Sequence, residues 1–69
     1  MSYSIKDIDE GIQFARQKIS EYNLQMMKLK NIHSLDFDQT MLLANLRLNR
    51  DITQATLEEL EKMKEAINE

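Results

Sequence analysis

Between Ile5 and Lys30 the chain reads IKDIDEGIQFARQKISEYNLQMMKLK. Its residues Ile5, Ile8, Ile12, Ala15, Ile19, Tyr22, Met26 and Leu29 follow one another at alternating steps of three and four. That spacing keeps one apolar stripe in line along an α-helix and is the a/d pattern of a coiled-coil seam. The periodicity predicts a helix over about residues 4–30. Ser4 stands where an N-cap is needed, with Asp7 three residues on, and Lys28 and Lys30 sit at the end where the helix dipole favours cations.

Past Lys30 the same heptad would bring His33 and Asp36 into the seam, and Asn31-Ile32-His33-Ser34-Leu35-Asp36 is poor in strong helix formers. The chain is expected to turn back at 31–36. Asp36 with Gln39 three residues later is the pattern of a capping box for a second helix, with Ser34 as the alternative cap. From about 36 to 68 the apolar face broadens into two strips. Met41, Ala44, Leu48, Ile52 and Ala55 form one, and Leu42, Leu46, Leu57, Leu60 and Ile67 the other, with Met63 between them. A helix packed on one neighbour needs one strip, so the surplus predicts two neighbours: the first helix and a further one, from this chain or another.

With one Gly and no Pro, the composition is that of an all-α chain. The expected architecture is a single domain, 1–69, folded as an antiparallel two-helix hairpin that becomes a helical bundle on association. A three-helix bundle is the alternative. Asn49-Arg50-Asp51-Ile52-Thr53 is weakly helical, and Thr56 with Glu59 makes another capping box, so a break at 49–55 would give helices at 4–30, 36–49 and 55–68. A single uninterrupted helix of ~100 Å is the third arrangement.

The 69 residues hold at most one domain, too short for the scaffolds that normally carry an enzyme pocket. Without cysteine there are no disulfides, thiolate nucleophiles or Cys-ligated zinc, so the fold must be held by packing or association. Net charge is −3, which argues against binding a phosphate backbone. The start MSYSIKDIDEG lacks a basic segment followed by an apolar run, and no stretch approaches the ~18 to 20 apolar residues of a membrane span. A cytoplasmic protein with no membrane contact is expected.

Leu35-Asp36-Phe37-Asp38-Gln39-Thr40 contains the D-x-D-x-T string that resembles the motif of haloacid-dehalogenase-type phosphotransferases, where the first Asp is the nucleophile and the second the acid/base. That chemistry needs the pair at the end of a buried parallel strand, with a lysine, a further acidic metal site and an α/β sheet around it. Helix capping is the expected role of Asp36. His33, with Asp36 and Asp38 nearby, falls short of the three or four ligands a zinc site takes. No catalytic, cofactor-binding or metal-binding residue is therefore assigned, and no cofactor or small-molecule substrate is expected.

Gly11 lies inside the first helix with Ala15 one turn on, a small-residue pair that lets a neighbouring helix approach closely. Tyr3, Phe14 and Ile32 flank the seam, while Leu24 and Met27 lie outside it, so part of the surface is expected to be an interface. Met26, Met27, Met41 and Met63 suit adaptable contacts, although core filling is the commoner use. Residues 51–69 carry a net charge of −4 against +1 for the rest, either a solvated helical face or a surface that steers a basic partner.

A hairpin this small is marginal alone, since ~1.5 kcal/mol of conformational entropy is lost per ordered residue. The expected function is a non-enzymatic protein-interaction module: an adaptor, regulator or assembly co-chaperone that covers a partner's apolar helix or self-associates, as a dimer first. Its core and interface candidates are Ile12, Ala15, Ile19, Met26, Leu42, Leu46, Leu48, Ile52, Leu60 and Met63. In size and hairpin outline the chain resembles the co-chaperones that hold needle subunits in bacterial type III secretion. The alternative is a dimeric hairpin that binds structured RNA or DNA, similar in outline to the plasmid copy-number regulator that grips paired RNA loops. It would use Arg16, Lys18, Lys28, Lys30, Arg47 and Arg50 as phosphate contacts and lose affinity steeply with salt.

Overall fold

The computed structural model describes residues 4–68, and Tyr3 lies outside them. Two helices fold back on each other: α1, Ile5–Lys30, and α2, Phe37–Asn68. The start of α1 is capped by Ser4, whose hydroxyl oxygen accepts the Asp7 N–H at 3.2 Å. At its far end the Asn31 N–H still reaches the Met27 carbonyl, at 3.2 Å, and the Ile32 N–H reaches that of Leu29, at 3.1 Å. All described residues keep negative φ through the turn, so no glycine is required there.

The start of α2 is a complete capping box. The Gln39 N–H donates to Asp36 Oδ1 at 2.7 Å, and the Asp36 N–H donates in return to Gln39 Oε1 at 3.0 Å. Thr40 adds a hydroxyl bond to the Asp36 carbonyl at 2.9 Å. Asp36→Ala removes the carboxylate that accepts the Gln39 N–H, leaving only the backbone bond from residue 36 to Gln39 Oε1, and is expected to cost about 1 kcal/mol at this exposed site. A urea melt read by circular dichroism checks this, with the midpoint lowered and the slope unchanged.

The three-helix arrangement is not what forms. α2 runs unbroken through 49–55, and Thr56 caps nothing; its hydroxyl donates to the Ile52 carbonyl at 3.0 Å, a bond made within a helix. Leu46 and Leu57, buried against α1 on either side of the weak segment, hold that segment helical despite its residue types.

The contact face of α2 takes Leu46, Leu57 and Leu60 from the second expected strip and nothing from the first. Its inward residues are Leu43, Leu46, Arg50, Thr53, Leu57, Leu60 and Lys64, each buried or half-buried, again at alternating steps of three and four. Against them α1 presents its own heptad, and the core forms in two pieces. Ile8, Ile12, Ala15 and Leu57 make one, flanked by Ile19 and Leu60. Met26, Leu29 and Leu46 make the other, flanked by Tyr22, Leu35 and Leu43. Arg50 and Thr53 fall between the two, where the seam is at its most polar.

Candidate functional site

The two flanks of the seam differ in chemistry. One is laced by ion pairs between the helices, Lys64 Nζ to Asp9 Oδ1 at 2.7 Å and Arg16 to Glu61 at 3.6 Å. Both pairs are well solvated and contribute at most about 1 kcal/mol each. The other flank is a shallow groove floored by small residues, with Gly11, Phe14, Ala15, Lys18 and Tyr22 on the α1 side and Thr53, Thr56 and Leu60 on the α2 side. The Lys18 ammonium rests 5.6 Å from the centre of the Phe14 ring.

Gly11 is where the helices approach closely. A Cβ there would meet Leu60 Cδ1 at 3.2 Å, so the leucine would have to give by a few tenths of an ångström. Leu60 is half-buried at the groove edge and can turn outward. Gly11→Ala is therefore expected to stabilise the hairpin by somewhat less than the ~1 kcal/mol that alanine gains over glycine in a helix. Thermal melting of the pair of proteins is the check, and a lowered midpoint would show Leu60 locked in place.

Six of the ten core and interface candidates stand in the seam: Ile12, Ala15, Met26 and Leu46 buried, Ile19 and Leu60 half-buried. The remaining four, Leu42, Leu48, Ile52 and Met63, point to solvent. The whole strip Met41, Ala44, Leu48, Ile52 and Ala55 is outside, joined by Phe37, while of the second strip Leu42 and Ile67 are also exposed. At 3.6 residues per turn, the mean direction of the exposed strip lies about 170° from that of the seam. It is the back of α2, turned away from α1.

The strip itself carries no charge over four turns, and Asp51 stands at its border. Between Met41 and Thr56 every charged residue, Arg47, Arg50 and Asp51, lies outside the arc that runs from the strip round to the groove. The arc is filled by the apolar strip together with Leu42, Asn45, Asn49 and Thr56, all exposed. Exposed faces of soluble helices are normally charged or polar, so an uncharged face of this length, apolar along the strip and polar at Asn45, Asn49 and Thr56, departs from the usual pattern. By contrast, the exposed apolar residues of α1, Ile5, Phe14, Leu24 and Met27, are spread over about half of the helix circumference and form no stripe.

The other singled-out residues have ordinary surroundings. Asp36 of the D-x-D-x-T string spends its carboxylate on the Gln39 N–H, at a helix start instead of a strand end. His33 is exposed in the turn, and no group of three or more metal-ligating side chains occurs among the described residues. Of the six basic candidates for phosphate contact, Arg16, Lys18 and Arg50 each face a carboxylate of this chain, Glu61, Glu21 and Asp51. Among the described residues no helix is long and apolar enough to cross a membrane. No protein-family model, no curated protein and no solved structure matches this chain.

Proposed function

We propose that the chain is a non-enzymatic protein-interaction module, an adaptor, regulator or assembly co-chaperone whose working surface is the uncharged back of α2. One observation supports this above the others. Phe37, Met41, Leu48 and Ile52 stand 77%, 48%, 58% and 57% exposed in a single line that no charged residue interrupts, with Asp51 at its border. A helix presenting its own apolar stripe would fill this surface at the usual steps of three and four, removing both stripes from water. The bound form is then favoured by mass action, with no chemical step.

An apolar fluorescent dye tests this at protein dilutions where light scattering gives the mass of one chain. Saturable binding is expected, and it is expected to vanish in Leu48→Lys/Ile52→Lys at unchanged helicity. No binding by the parent chain, or equal binding by both, overturns the proposal.

A further inference from the structure

We infer that the occupant of the uncharged face is a second copy of this chain, docked with the two α2 helices antiparallel about a twofold axis level with Leu46. A second copy fits only if that face is a docking surface at all, as proposed above. The pattern of side-chain sizes favours it. Running the strip against itself in reverse sets Phe37 opposite Ala55, Met41 opposite Ile52 and Ala44 opposite Leu48. Each large side chain meets a smaller or comparable one, so every layer has a similar volume and two straight helices keep one separation along the contact. Parallel pairing would instead stack Phe37 on Phe37 and Ala44 on Ala44, alternating wide and empty layers.

The register is equally constrained. Sliding the copies by a heptad in either direction leaves one end of the strip uncovered, and only the centred register covers all six positions. Beyond Ala55 the strip ends in Glu58 and Glu59, and Asp51 borders it, tied to Arg50 at 3.1 Å. The dipoles of the two helices also oppose, as antiparallel neighbours require.

Because the strip lies on the far side of α2 from α1, docking produces a flat layer of four helices in the order α1, α2, α2, α1, not a square bundle. The contact is about 27 Å long and one helix wide, about 10 Å. That is less than the roughly 800 Å² per partner of a standard stable interface, which places the dimer in the weak class that dissociates on dilution. Arg47 flanks the strip close to the twofold axis and is brought near its own copy. Asp51, on the same side, comes within two turns of the second copy's Arg47 and offsets that repulsion, so the salt effect is carried by apolar burial, and association tightens as sulfate is added.

The absence of cysteine makes the geometry directly testable. Ala44→Cys and Ala55→Cys are exposed, small substitutions whose folding is confirmed by circular dichroism. In the antiparallel dimer the two copies of position 44 are offset along the axis by about 6 Å, and those of position 55 by about 27 Å. A short bis-maleimide is therefore expected to link Ala44→Cys chains in high yield and Ala55→Cys chains hardly at all, with the yield rising as sulfate is added. Equal linking at both positions would show parallel docking and overturn the inference. So would linking at neither position, a parent chain that stays monomeric up to millimolar concentration, or association that weakens as sulfate is added. Should the dye bind while cross-linking fails, the docking surface stands and its occupant is another protein; should the dye fail on a dispersed chain, both fall.

Discussion

Ile12→Ala is expected to leave the hairpin largely unfolded under conditions where the parent chain is folded. Ile12 is 4% exposed and belongs to the cluster of Ile8, Ala15 and Leu57, with Leu60 packed at its edge. Truncating a buried isoleucine to alanine costs about 2–5 kcal/mol, the larger values arising where the surroundings cannot close the cavity. Two helices in contact along one line have no second layer to move inward, so the cost falls toward the upper end. At about 0.05–0.15 kcal/mol per residue, a fold of this length has roughly 3–10 kcal/mol in hand, and a single-seam hairpin sits near the bottom of that range. Loss and reserve are then of the same size. Far-ultraviolet circular dichroism against urea measures both, and a loss below about 1 kcal/mol would mean that the α1–α2 seam is not what holds the fold.

The legibility of the two helices in the sequence differed for a physical reason. In α1 the seam positions from Ile8 to Leu29 are occupied by Ile, Ala, Tyr, Met and Leu, so the apolar period and the contact period coincide. Ile5 departs from this because it sits in the first turn at the open end, where it stays exposed. In α2 the two periods separate. Its seam passes through Arg50, Thr53 and Lys64, which tolerate half-burial because their polar ends still reach water or a partner, as Lys64 reaches Asp9. Counting apolar residues therefore gives two strips, the outer one with Met41, Leu48 and Ile52 and a second that holds the seam residues Leu46, Leu57 and Leu60, and passes over Leu43 and Thr53. A signal was present: continuing the three-four rhythm from Leu43 and Leu46 through Leu57 and Leu60 requires seam positions at 50 and 53 whatever occupies them. The capping box at Asp36 was legible because both of its bonds join residues three apart and need no tertiary partner. The break at 49–55 was suggested by local preference alone, which packing at Leu46 and Leu57 outweighs. The surplus of apolar residues on α2 was visible as a surplus; its concentration on the side facing away from α1 required the fold.

Leu48→Lys/Ile52→Lys is expected to abolish association while leaving the hairpin itself intact. Neither side chain touches the core clusters, and both are more than half exposed. Substitutions at such positions usually change stability by less than about 0.5 kcal/mol, and lysine is at least as good a helix former as isoleucine. Helicity and melting at high dilution should therefore match the parent chain. Association responds differently. Fully burying a leucine or isoleucine is favourable by about 1.5–3 kcal/mol, and roughly half of each side chain remains to be covered, so each contributes about 1 kcal/mol on docking. A twofold dimer counts every residue twice, giving a loss of about 4 kcal/mol, near a thousandfold in Kd, before the cost of pressing four ammonium groups onto an apolar strip is added. From a weak starting dimer, that leaves a monomer at every accessible concentration. Sedimentation equilibrium of the two proteins, with circular dichroism on the same samples, separates the outcomes. A variant that still associates would place the contact elsewhere on the hairpin, and one that loses helicity at dilution would show that the back of α2 supports the fold as well as the contact.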